Sequence, residues 1–294
     1  MSVNQLESVS VTAPDGRALE VALGGPAGGV PLFFHHGTPG AAAVFAPLVE
    51  QGAERNLRHI AYSRPGYGRS DRLPGRSVAS CAADVAAIAD ALGYERFHSI
   101  GGSGGGPHSL ACAALLEDRV ISAGVIASVA PFDAEGLDWT ADMGQENIDE
   151  FAAIQGGEEE LRTYLEGMAA AMAGPTAEQI VAALGDTVSE VDRRALTGAY
   201  GDYLAREVEH ALSGGVWGWV DDDIAFASDW GFDPASIRVP FSIWHGAHDR
   251  FVPIAHGQWL ADHMTASTHL RPDQGHLSLA LAAYGEVLDD LLKD

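Results

Sequence analysis

A serine flanked by glycines, at Gly101-Gly102-Ser103-Gly104-Gly105, sits where an apolar strand-like run ends and a helix-like run begins. A serine at such a junction must adopt a strained turn that lifts its hydroxyl off the sheet. Small neighbours let the strand and helix backbones pack closely around it. That placement suits a nucleophile. The string G-x-S-x-G is common, so the strand–turn–helix setting carries the weight. The competing use is a glycine-rich phosphate loop, but no lysine follows it and no ribose-binding carboxylate stands in an obvious place downstream.

A serine hydroxyl needs a base, and the base needs a carboxylate to orient it. Of twelve histidines, His276 stands out because it follows Gly275 and opens the last helical segment after a short strand. Asp249 closes Trp244-His245-Gly246-Ala247-His248-Asp249, directly after the strand-like FSIW. The chain order Ser103, Asp249, His276 is the order a triad takes on a parallel sheet of this kind. Asp133, beyond an earlier strand, is the second candidate for the acid. Acyl transfer also needs two N–H donors aimed at a developing oxyanion. Gly104 supplies one, and Thr38 in His36-Gly37-Thr38-Pro39-Gly40 the other, since Pro39 has no N–H. His245 and His248 beside Asp249 lack the spacing of a metal ligand set, and His35 and His36 point to opposite faces of a strand. No metal site is expected.

These residues need a sheet to bring them together. Residues 8–13 and 18–23 read as a hairpin around Pro14-Asp15-Gly16, and residues 31–35, 58–63, 97–101 and 120–129 as further strands. Between them, residues 42–56, the segment after Ser77, and Pro107–Glu117 read as helices. Strand and helix in alternation imply an α/β fold, a parallel sheet with helices on both faces. After Pro131 the pattern changes. Residues 131–230 read as four or five acidic helices, broken at Gly156-Gly157, Gly174-Pro175 and Gly214-Gly215, and form a helical cap inserted into a core made of 1–130 and 231–294. Residues 241–244 and 268–271 then resume the strands, with a helix at 255–263 between them and a last one after His276.

Composition narrows the function. Of the 41 acidic residues, 22 fall in residues 131–230, against four arginines and no lysine; the whole chain carries a formal charge of −24. Such a field repels phosphate backbones and anionic lipid surfaces, which argues against nucleic-acid and membrane partners and for a small-molecule substrate. The expectation is that these acids form solvated helix faces; attraction of cationic or amine-bearing substrates is the sharper alternative. No apolar run is long enough to span a bilayer, the segment MSVNQLESVSV lacks signal-peptide character, and Cys81 and Cys112 read as buried thiols. These features fit a cytoplasmic protein. Oligomeric state is not legible.

On these residues the chain resembles the α/β-hydrolase superfamily over essentially its whole length. The matching pieces are HGTPG at 36–40, SRPGYGRSD at 63–71, GGSGGGPH at 101–108, HGAHD at 245–249 and Gly275-His276. Within it the chain looks like the proline-iminopeptidase-like and small-acyl hydrolases. The resemblance implies an α/β-hydrolase fold with an eight-stranded, mostly parallel sheet, a helical cap over the nucleophile, and an acyl-enzyme mechanism without metal or organic cofactor. Epoxide hydrolases share the HGxPG loop but use an aspartate where this chain has Ser103, and the elbow lacks the tryptophan often found in proline iminopeptidases.

The resulting expectation is hydrolysis of a small carboxylic ester. Ser103 attacks, His276 acts as base, Asp249 orients it, and the N–H groups of Thr38 and Gly104 form the oxyanion hole. His36, Trp139, Met143, Trp217 and Trp219 are candidates to line the substrate pocket, together with Phe151, Met168 and Met172. A proline-specific aminopeptidase is the second enzyme reading, with Glu146, Asp149 or Asp221–Asp223 pairing with the substrate amine. A ligand-binding receptor on a hydrolase scaffold is the non-enzymatic one, and cofactor-free oxygen or peracid chemistry is a minor one. The loop Arg64–Asp71 reads as structural, steadied by an Arg–Asp contact.

Overall fold

A computed structural model describes residues 7–172 and 176–293; the Gly174-Pro175 break and the first six residues of the opening segment lie outside them. The strands are β1 (Glu7–Thr12), β2 (Ala18–Gly24), β3 (Val30–His35), β4 (Leu57–Tyr62), β5 (Phe97–Gly102), β6 (Val120–Ile126), β7 (Phe241–Gly246) and β8 (Ser267–Arg271). They form one sheet in the order β1-β2-β4-β3-β5-β6-β7-β8. The β1–β2 and β2–β4 pairs are antiparallel and the remaining pairs parallel. The expected eight-stranded, mostly parallel α/β sheet is the one observed.

Helices α1 (Ala46–Glu54), α2 (Cys81–Leu92) and α3 (Gly106–Leu115) follow β3, β4 and β5, while α10 (Ile254–His263) and α11 (His276–Leu291) come after β7 and β8. One core layer joins Phe33, Val85, Ile88, Leu110, Val125, Ile243 and Leu260 on the face covered by α2, α3 and α10. The other joins Leu32, Leu48, Ile100, Trp244, Tyr284 and Leu288 beneath α1 and α11. Burial on both faces explains why the central strands read as continuous apolar runs rather than as alternating ones.

Two boundaries fall short of the sequence reading by three residues or more, each for a local reason. The run 120–129 stops pairing at Ile126 because Ala127 takes φ +54°. The helix expected from residue 42 begins only at Ala46, where Pro47 fits the first turn, which has no intrahelical use for its N–H.

Between β6 and β7 the described residues hold six helices rather than four or five: α4 (Gln145–Gln155), α5 (Glu158–Ala171), α6 (Ala177–Ala183), α7 (Glu190–Ala195), α8 (Gly198–Ala211) and α9 (Trp217–Phe226). Helices α6 and α7 span two turns or fewer, too short for a 3.6-residue period to be visible. This segment has its own apolar cluster around Leu161, Leu165, Ala211, Trp219 and Val220, which extends to Ala41 and Tyr67 of the sheet's loops.

Strand order changes direction at β3. The chain goes from β3 outward to β4 on one side and to β5 on the other. Loops leaving the C-terminal ends of β3 and β5 therefore part over a crevice, where ligands bind in open α/β sheets. Thr38 follows β3 and Ser103 follows β5.

Candidate functional site

Ser103 takes φ +54°, a left-handed conformation that costs a non-glycine residue about 1–3 kcal/mol. Its neighbours show why glycine surrounds it. A Cβ on Gly101 would overlap the Gly105 carbonyl, and one on Gly105 would overlap the carbonyl of His35. Strand, turn and helix backbones are in direct contact here. Gly101→Ala is expected to destabilise the fold by about 1–3 kcal/mol through overpacking, read as a lower urea midpoint with unchanged m-value.

The β3 loop abuts this turn. A Cβ built on Gly37 would sit 3.9 Å from Ser103 Oγ, and one on Gly104 would overlap Thr38 Oγ1. Thr38 and Gly104 are thus neighbours beside the Ser103 hydroxyl. The loop is held from below by Arg64, which is 1% exposed. Its Nη1 donates to the His36 carbonyl (2.5 Å), and its Nη2 to the Gly37 carbonyl (2.9 Å), to Thr38 Oγ1 (3.0 Å) and to Asp222 Oδ2 (2.6 Å). The Arg–Asp contact expected within Arg64–Asp71 is instead made to Asp222, on inserted helix α9. Asp222 also receives Thr38 Oγ1–H (2.8 Å), Tyr67 O–H (3.0 Å) and Arg76 Nη1 (2.7 Å).

His276 begins α11 and is 6% exposed. Its Nδ1 lies 2.7 Å from Asp249 Oδ2, and the Phe251 ring stacks on it at 4.7 Å. Asp249 Oδ1 accepts the N–H groups of Phe251 (2.9 Å) and Val252 (2.8 Å), which fixes the carboxylate in the loop after β7. Burial pushes the Asp249 carboxyl up, but the His276 charge and hydrogen bonds from His245 and His276 outweigh it and leave it at about 2. Burial pushes His276 down, yet the charges of Asp249 and Asp192 and the Asp249 bond carry it above the ordinary histidine value. With Nδ1–H committed to Asp249, Nε2 keeps its lone pair for a proton. Asp133 is exposed and is not the partner of His276.

Ser103, Thr38, Gly104 and His276 line one cavity of about 250 Å³. No Ser103–His276 hydrogen bond is present among the described residues; such contacts are often long before substrate arrives. The insertion covers the rest with Met143, Phe151, Met172, Leu196, Tyr200 and Trp219, among others. Of the sequence candidates, Met143, Phe151, Met172 and Trp219 reach the cavity. The remaining four do not line it. His36 is fully buried, its Nδ1 bonded to the Gly37 carbonyl (2.7 Å) and its Nε2 accepting the Arg64 N–H (3.1 Å). Trp139 donates to the Ala130 carbonyl (2.8 Å) and packs on Phe151. Trp217 lies under the Arg72 guanidinium at 3.8 Å, and Met168 packs in the insertion's own cluster.

Sequence reasoning missed Tyr200, Tyr203, Leu204, Glu207 and Val208, all on the cavity wall. Their spacing of three, four, seven and eight residues marks one face of α8 and was available as a signal. It also took the acidic residues of the insertion as solvated. Glu150, Asp192, Glu207, Asp221, Asp222 and Asp223 are instead buried. Among the acids named for a substrate amine, Asp223 alone lines the cavity, where Glu150 and Glu207 join it; Asp221 and Asp222 are taken by arginines. Burial raises the carboxyls of Glu150 and Asp223, and brings Glu207 to about 7. Trp219 Nε1 donates to Glu150 Oε1 at 2.7 Å. Among the described residues no helix is long and apolar enough to cross a membrane.

Known proteins agree with this architecture. A non-heme chloroperoxidase from Streptomyces lividans is 29% identical over 289 residues, covering 96% of this chain and 98% of that protein. A bifunctional esterase/perhydrolase from Acinetobacter calcoaceticus is 32% identical over 123 residues, 41% of this chain and 45% of that one. The enol-lactonase structure from Burkholderia xenovorans LB400 superposes with a TM-score of 0.72 at 18% identity, over 97% of this chain and all of that one, a likeness of fold alone. The family model of the alpha/beta hydrolase fold matches residues 30–283, and the chain belongs to that family.

Proposed function

We propose that the protein is a serine hydrolase that cleaves a small carboxylic ester through an acyl-enzyme. Ser103 attacks the acyl carbonyl while His276 Nε2 takes its proton, and Asp249 holds the imidazole in the required tautomer. The N–H groups of Thr38 and Gly104 receive the developing oxyanion. His276 then returns the proton to the leaving alkoxide, and a water activated by the same imidazole releases the acid. The inserted helices act as a cap that sets substrate choice.

The observation that carries this reading is the 2.7 Å bond from Asp249 to His276, whose imidazole lines the same cavity that Ser103 enters from a positive-φ turn. A cavity of about 250 Å³ is smaller than the roughly 300–1,000 Å³ that holds drug-sized ligands, which favours short acyl groups. Turnover of p-nitrophenyl esters from acetate to decanoate tests this. It should peak at a short chain and fall steeply by octanoate; flat or absent turnover rejects the assignment.

A second reading, an aminopeptidase acting on an amine-bearing acyl substrate, is favoured by Glu150, Asp223 and Glu207 on the cavity wall. Burial makes these acids reluctant to ionise, and an ammonium group would compensate their charge. Proline p-nitroanilide run beside the esters separates the two. The names of the Streptomyces and Acinetobacter relatives add one arm to the panel, in which hydrogen peroxide replaces water as acyl acceptor and peracid is measured.

A further inference from the structure

The residue preceding helix α11 is Gly275, which has no side chain to accept the helix's first N–H groups, while Ser278 Oγ accepts the Gly275 N–H itself (2.8 Å). The first N–H groups of a helix have no intrahelical acceptors, and burying them unpaired is costly. Here a carboxylate 84 residues earlier in the chain accepts them. Asp192 Oδ2 receives the His276 N–H (3.0 Å), and its Oδ1 receives those of Leu277 (2.8 Å) and Ser278 (2.9 Å). Asp192 sits on inserted helix α7, is fully buried, and is itself fixed by Ser189 Oγ–H at 2.7 Å. A Cβ on Gly275 would overlap the Asp192 carboxylate, so the glycine makes room for this contact.

Resting on the reading of His276 as the base, we propose that Asp192 is its positioning residue: the insertion, not the core, holds the backbone from which the imidazole projects. His276 is the first residue of α11, so three N–H bonds at residues 276–278 fix the φ and ψ that aim its ring. The contact has an electrostatic side as well. A helix N-terminus carries a partial positive charge that disfavours an imidazolium there, and a carboxylate seated on those N–H groups cancels it. The groups facing His276 are Asp249 from the loop after β7, with His245 behind it, and Asp192 from α7, while Phe251 covers one ring face. The imidazole thus lies between two carboxylates, one bonded to its ring and one to its backbone.

The test compares wild type with Asp192→Asn, which removes the charge and keeps an acceptor oxygen. The readouts are the pH profile of kcat/KM on the best ester and the titration of the His276 ring by NMR. The expected result is an acid limb and an NMR midpoint lowered by about half to one and a half units. In addition, kcat should fall roughly 10- to 100-fold with KM changed less than about three-fold. Ser189→Ala keeps the charge but loosens the carboxylate; it should lower kcat without moving the acid limb, and serves if Asp192→Asn does not fold. A folded Asp192→Asn with unchanged midpoint and kcat overturns the proposal, as does a Ser189→Ala protein with unaltered kcat. A shifted His276 titration in a protein that turns over no ester supports the positioning role and rejects the esterase reading instead.

Discussion

Ser103→Ala is expected to lower kcat/KM on the preferred p-nitrophenyl ester by about five orders of magnitude or more, the range seen when a serine nucleophile is removed. The fold should be nearly untouched. Ser103 Oγ has no side-chain hydrogen bond among the described residues, so its loss orphans no buried group, and alanine at φ +54° carries a strain similar to serine's. Matching urea midpoints for the two proteins, beside an inactive variant that no longer reacts with a fluorophosphonate, would establish the nucleophile. Turnover within ten-fold of wild type would dismiss it. Asp249→Asn should cost somewhat less, about 10⁴-fold in kcat, because an amide favours the wrong imidazole tautomer. Its acid limb should also move down in pH, since the negative charge that helps hold His276 above its ordinary value is gone.

The legible parts of the molecule were those written in neighbouring residues. Strand β5, the Ser103 turn and the start of α3 are one continuous stretch, and the crowding around Gly101 and Gly105 explains its glycines. His276 and Asp249 could be named because each closes a strand-and-loop pattern on the same sheet edge, although nothing local says that they touch. Illegible were the contacts that cross from the insertion to the core. Arg64 and Asp222 are 158 residues apart, and no periodicity links a loop arginine to a helical aspartate. The sequence Asp221-Asp222-Asp223 looks like a solvated patch, yet it sends one carboxylate to Arg72, one to Arg64 and Arg76, and one to the cavity wall. Net charge reports how many acids there are. Only packing reports which of them face an arginine, three backbone N–H groups, or each other.

That packing sets the second large effect, on stability. Asp222→Ala removes the carboxylate that Arg64 and Arg76 share, with all three side chains at most 3% exposed. Stripping one partner from a buried ion pair leaves uncompensated charge and typically costs about 3–5 kcal/mol. Two guanidinium groups are stranded here, so the upper end of that range is expected, with a Tm lowered by about 10 °C. Burial pushes the Asp222 carboxyl up, but Arg64 and Arg76 hold it well below the usual carboxylate range. A depressed carboxyl contributes its stability above the unfolded-state value and loses it only as pH falls through the folded one, so the wild-type advantage should persist at neutral pH and shrink in acid. Function should follow. Without Asp222, Thr38 loses the acceptor of its hydroxyl and Arg64 the anchor that aims it at the His36 and Gly37 carbonyls, so the loop proposed to carry one oxyanion donor is released. A loss of about 10²–10³ in kcat is the scale of removing one such donor. Tyr67→Phe deletes a single bond from a neutral donor to the same carboxylate and should cost only about 1.5–3 kcal/mol with little change in kcat. If Asp222→Ala proved no less stable than Tyr67→Phe by urea unfolding, the buried ion pair would not be what joins the insertion to the Thr38 loop.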